Sequence, residues 1–213
     1  MIRVTKTSTA PLSLSTTSTY DGQDVQHQLE HDHQGKCYLC ERHLCTDFQV
    51  EHHKSQENYP TLKQDWNNLF WVCVYCNGKK GSRFDNLLDP TSVNIEDEIK
   101  QTIDFNHKQA AFTPLIKTES HKETCNLLAK IHNGAGNLRK LREERCFEYV
   151  MGVVNDFYRL VSQYLNAPTS ENRDLVREEL QIDKECLGFK YWIIKGHPRL
   201  STVFANDIVW NKK

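Results

Sequence analysis

Two methionines, six prolines and nine glycines in 213 residues exclude collagen-like and Pro/Gly-rich low-complexity chains. Long apolar runs are missing too: no stretch approaches the roughly 18 residues that span a bilayer. The opening MIRVTKTSTAPLSLSTTSTY lacks the apolar core of a signal peptide and predicts a flexible, partly extended leader over residues 1–21. Charge of one sign is scarce as well, with a formal net of −1. Residues 1–100 carry ten Lys and Arg against fourteen Asp and Glu, and residues 101–213 carry seventeen against fourteen. Bulk charge of this kind does not drive free-standing DNA binding, so any phosphate contacts must come from local clusters or from a partner.

Cysteine, by contrast, is plentiful, with eight residues. Without a secretion signal they predict metal ligation or free thiols in a reducing, cytoplasmic setting rather than disulfides. Cys37-x-x-Cys40 and Cys73-x-x-Cys76 form two CxxC pairs. A CxxC turn aims two thiolates at one ion, and two such turns close a tetrahedral four-cysteine Zn²⁺ site. The gap between the pairs exceeds the usual 15–20 residues of a double-CxxC site, which leaves room for two strands and a loop. His43 and Cys45 are possible substitute ligands, whereas Cys125, Cys146 and Cys186 sit in helical patterns and read as core.

Between and around the pairs the periodicities are short. Val25 and Leu29 mark an amphipathic helix over 23–33. Phe48 and Val50 alternate with polar neighbours, and LFWV at 69–72 is a second strand candidate. Residues 54–66 read as a loop, and IKQTIDF and QAAFTPL as a loose hairpin. From Glu119 onward the pattern is helical, clearest over 137–166, where Leu138, Leu141, Phe147, Val150, Val154, Phe157, Val161 and Leu165 recur at three- and four-residue steps. Thr169 is placed to cap a further helix. The expected class is α+β: a small zinc-clamped module over 22–90, then a mainly helical region over 91–213.

CYLCE, VEHHKS and WNNLFWVCVYCNGKKG together resemble the HNH endonucleases of the ββα-metal type, in the subgroup framed by two CxxC pairs. The likeness spans roughly residues 36–83. It implies that Glu51 and Asn77, both hard oxygen donors, hold a catalytic Mg²⁺ or Mn²⁺. It implies that His52 is the general base, that Asn68 pins the loop that aims it, and that Lys79, Lys80 and Arg83 receive the backbone phosphate. One position departs from the family, because His53 stands where an apolar or aromatic residue is usual. Strand alternation puts Glu51 and His53 on one face and His52 on the other, so periodicity favours His53 as base and the resemblance favours His52.

Residues 84–200 carry a weaker likeness, in LLDPTSVNIEDEI, NLRKLREERCFEYV and LGFKYWIIKGHP, to the HNH subunits of bacterial Septu-type anti-phage systems. It implies DNA as substrate and an ATPase partner, docked through the helical region, with Tyr191, Trp192, Ile193, Ile194 and Trp210 as candidate anchors. Arg139, Lys140, Arg142 and Arg145 read either as a phosphate contact or as a solvated helix face. A non-catalytic zinc ribbon that binds nucleic acid or protein is the rival reading, and it leaves Glu51, His52, Asn68 and Asn77 without a purpose.

Overall fold

The structure, a computed structural model, describes residues 1–17, 19–136 and 138–210. Residue 137, the first of the predicted 137–166 helix, lies outside them, as do residue 18 of the leader and residues 211–213 of the helical region. The class is α+β, with two small antiparallel hairpins among helices. In chain order the elements are α1 (Ser13–Thr16), α2 (Gln23–Asp32), β1 (Phe48–His52), β2 (Leu69–Cys73), α3 (Val74–Lys80), α4 (Ile95–Glu98), β3 (Ile99–Asp104), β4 (Gln109–Pro114), α5 (Glu119–Asn133), α6 (Leu141–Asn166), α7 (Ser170–Glu178), α8 (Leu187–Lys195) and α9 (Pro198–Val203). Among the described residues no helix is long and apolar enough to cross a membrane.

β1 and β2 pair from Phe48 opposite Cys73 to His52 opposite Leu69. All five residues of β2 are buried, as expected of an apolar run covered on both faces. Val25 and Leu29, one turn apart on α2, share a core with this strand and with Leu127, Leu128 and Ile131 of α5. That core also takes Leu87, Leu88, Ile95 and Ile99, so apolar packing is continuous across residue 90. The loose hairpin is regular: β3 and β4 pair over six residues each.

A second core joins Phe157, Val161 and Tyr164 of α6 to Val176, Tyr191, Ile194, Leu200 and Phe204. Thr169 caps α7, accepting from Asn172 N at 3.2 Å. α6 begins later than its sequence pattern, at Leu141, and Leu138 (87% exposed) and Leu141 point to solvent instead of the core.

Two expectations change. The leader does not run free: Met1, Ile2 and Val4 are buried, and Val4 N donates to Pro90 O at 2.8 Å. Lys6 Nζ donates to Trp66 O and, at 2.6 Å, to Leu69 O. The expected docking anchors are also largely internal. Tyr191 and Ile194 lie in the second core, Trp192 Nε1 donates to Ile99 O at 2.9 Å and Trp210 Nε1 to Leu180 O at 2.5 Å. Apolar burial within the chain outcompetes their display.

Candidate metal centre and adjoining cleft

The first CxxC pair lies in a tight turn. Cys37 N donates to Arg42 O and Glu41 N to Cys37 O, with Glu41 in the left-handed region at φ 57°. Tyr38 N donates to Trp71 O at 3.0 Å, which fastens this turn to β2. The second pair begins where β2 ends: Cys73 is the N-cap of α3, its sulfur accepting from Cys76 N at 3.3 Å. Together the two turns bring four buried sulfurs within 4.8 Å of one another.

Cys40 Sγ and Cys73 Sγ are 3.9 Å apart. A tetrahedron with Zn–S bonds of about 2.3 Å has edges of about 3.8 Å, so the donor set fits zinc in number, type and spacing. Burial pushes the Cys37 and Cys76 thiols well up, and an ion taken up here must displace their protons. Arg42 donates toward Cys73 Sγ at 3.6 Å and supplies positive charge to a site that would carry net negative charge when filled. The substitute ligands drop out: Cys45 is exposed, and His43 Nε2 donates to Asp183 O at 2.8 Å. Cys125, Cys146 and Cys186 are buried core residues. Among the described residues the four cysteines form the one cluster of three or more His, Cys, Asp or Glu donors placed to hold a metal.

A cleft of about 230 Å³ opens beside β1 and α3, and Glu51, His52, Asn77 and Lys80 line it together with Tyr20 and Ser55. His52 Nε2 is 2.9 Å from Lys63 O. A carbonyl can only accept, so this nitrogen carries the proton and Nδ1 keeps the lone pair. Burial lowers the His52 pKa below its ordinary value, which keeps the ring neutral at pH 7.

The loop that supplies Lys63 O is held by Asn68. Its Oδ1 accepts from Lys54 N at 2.7 Å, and its Nδ2 donates to Lys54 O at 2.9 Å and Leu62 O at 3.2 Å. His53 turns the other way. Its ring packs against Phe70, its Nε2 donates to Leu88 O at 3.3 Å, and burial pushes its pKa down to about 4. The strict alternation that favoured His53 ends with β1, whose last residue is His52.

The expected phosphate cluster is dispersed. Lys80 is 1% exposed, and its ammonium reaches Glu51 Oε1 at 2.7 Å, His52 O at 2.9 Å and Gly81 O at 3.5 Å. Three protons meet three acceptors, which leaves none for a phosphate. Lys79 pairs with the Glu143 carboxylate of α6. Consecutive helical residues point about 100° apart, so the two lysines leave α3 in different directions. Of the three, Arg83 alone is exposed. Desolvation raises the Glu51 pKa and the adjacent Lys80 ammonium opposes the rise.

Asn77 donates through Nδ2 to Gln49 Oε1 at 2.8 Å, which turns its amide oxygen away from that contact. One carboxylate and one amide oxygen beside a neutral imidazole fit an open, oxygen-rich divalent site that keeps positions for water and phosphate. Motif reasoning missed Tyr20, whose ring centroid lies 4.5 Å from that of His52. Nothing in its Ser/Thr-rich surroundings signals that contact. The basic stretch on α6 is split too: Arg139 stacks on Phe147 and donates to His132 O at 3.0 Å, while Arg142 and Arg145 are exposed.

No protein-family model matches the chain. Over 71 residues it is 37% identical to the Septu protein PtuB of Bacillus thuringiensis, an alignment that covers 30% of this chain and 28% of that protein. The chain is thus a partial homologue of that protein and matches less than a third of its length.

Proposed function

We propose that the chain is a metal-dependent HNH endonuclease of the ββα-metal type, the DNA-cutting effector of an anti-phage defence complex with an ATPase partner. The carrying observation is the unit β1–β2–α3, fastened at the four cysteines, with Glu51, His52 and Asn77 on one cleft. The partial likeness to a Septu protein supports the defence setting. His52 Nδ1 takes the proton of the attacking water, while Lys63 O and the Asn68-pinned loop hold the ring. Glu51 and Asn77 would hold Mg²⁺ or Mn²⁺, which when bound polarises the phosphate and neutralises the leaving oxygen. Lys80 orients the Glu51 carboxylate, and Arg83 is the remaining phosphate contact of its cluster.

The engagement of Lys79 and Lys80 by carboxylates favours a second reading, a zinc module that binds protein and performs no chemistry. A plasmid-nicking assay decides between them, run with and without the product of the neighbouring gene. Wild type should cut with Mg²⁺ or Mn²⁺, and His52→Ala should fall by about 10²–10⁴-fold with zinc content unchanged. Wild type that is zinc-loaded, partnered and inert with both metals on plasmid and on single-stranded DNA alike would overturn the nuclease reading in favour of the second.

A further inference from the structure

A second recess of about 220 Å³ adjoins the first. Both are lined by Tyr20, Val50 and Asn77, and the second adds Asp21, Gln26, Phe48 and Gln49. Its chemistry is different. No Lys or Arg lines it, and the Asp21 carboxylate repels a phosphate. What remains is two aromatic rings, Tyr20 and the Phe48 already stacked on Trp71, and three carboxamides, of which Asn77 is shared with the first cleft. Gln26 donates through Nε2 to Asp21 O at 2.8 Å, so its Oε1 is left without a partner among the described residues. Gln49 accepts through Oε1 from Asn77 at 2.8 Å, so its Nε2 is left likewise. One acceptor and one donor beside an aromatic face is what holds a nucleobase: the face by stacking, an edge by hydrogen bonds.

Tyr20 is set in place beforehand. Gln64 Nε2 donates to Thr17 O at 2.8 Å on one flank, Gln26 to Asp21 O on the other, and Lys63 Nζ stands 5.8 Å from the ring centroid. The ring therefore stands between the cleft that holds His52 and the recess beside it.

We propose that this recess is a subsite for one unpaired nucleobase next to the scissile phosphodiester, with Tyr20 as its stacking platform. The position relative to the cut rests on the nuclease reading; the base site itself does not. A base that turns a face to Tyr20 and an edge to Gln26 and Gln49 has left its duplex stack. The preferred substrate is accordingly single-stranded or opened at that nucleotide.

The test is binding of single-stranded oligonucleotides carrying 2-aminopurine to the full zinc-loaded chain, without added Mg²⁺ or Mn²⁺ so that nothing is cut. Binding should quench the probe. Tyr20→Ala should weaken binding roughly 5- to 150-fold, the range for loss of one base–aromatic stack, and Tyr20→Phe should keep it. An oligonucleotide made abasic at the probe position should bind wild type as weakly as the intact one binds Tyr20→Ala, and combining the two changes should cost nothing more. Unchanged binding by Tyr20→Ala, or losses that simply add, would overturn the subsite. So would a Tyr20→Ala defect confined to cleavage rate, which would mean that the ring acts only by packing on His52. Quenching and non-additivity from a protein that never cuts would retire the nuclease reading and leave the base site standing.

Discussion

A His52→Ala substitution removes a ring whose Nε2 is committed to Lys63 O and whose other nitrogen is unprotonated. His53→Ala removes a ring packed on Phe70 behind the strand. The first should lower cleavage by about 10²–10⁴-fold in a protein that still folds and binds zinc. The second should lower stability by roughly 1–3 kcal/mol yet keep most of its rate per zinc-loaded molecule, measured by single-turnover cleavage beside thermal melting. Lys80 is a parallel case. Lys80→Met leaves the Glu51 carboxylate buried without its cation, and breaking such a pair costs about 3–5 kcal/mol. Urea unfolding should show that loss, and a variant as stable as wild type would restore Lys80 to a phosphate-binding role. The identities at these positions were legible in the sequence, but their directions were not. Which way Lys79 and Lys80 leave α3 depends on where that short helix packs, and no local pattern carries this.

At the scale of elements, residues 54–66 show how a segment without periodicity can position the ring proposed as general base. Two short 3₁₀ turns, Pro60–Leu62 and Trp66–Asn68, replace the featureless loop, and one buried amide ties their ends together. Asn68→Ala leaves Lys54 N, Lys54 O and Leu62 O without that partner. Each buried group so orphaned costs about 1–3 kcal/mol. Cleavage should drop with the loosened Lys63 carbonyl while zinc content, read by mass spectrometry, stays constant. The strands themselves were readable, β1 from its alternation and β2 from an unbroken apolar run. The importance of Asn68 came from family likeness, since a lone Asn in a polar stretch has no signature of its own.

Over the whole molecule, burial of histidine sets the response to acid. His33, its Nδ1 donating to Leu29 O at 2.8 Å, and His132, packed against the rings of Phe112 and Phe189, are both pushed down to about 3 by burial. His53 is pushed to about 4. Unfolded, each ring takes a proton near pH 6.5. Above that pH both states are neutral and nothing is lost. Below it the unfolded chain binds protons that the folded chain refuses, so stability falls by up to about 1.4 kcal/mol per pH unit per ring until the folded pKa is reached. His132→Met should flatten this decline by roughly one proton between pH 6 and 5, measured by urea unfolding; an unchanged slope would mean that His132 protonates in place. This scale was the least legible. Ile2 and Val4 alternate with polar residues too briefly to announce a docked segment, and the 191–194 run reads equally as core or as a surface anchor until β3 is known to lie against it.

Packing four sulfurs within 4.8 Å also makes the ion a guardian of the thiols. Coordinated thiolates spend their lone pairs on the metal, whereas bare thiols at this separation are neighbours ready to couple on losing two electrons to an oxidant. Stripping zinc under a reductant should therefore be reversible, with activity returning when the metal is restored. The same treatment in air should leave fewer than four of these thiols titratable and a module that zinc no longer rescues until dithiothreitol is added.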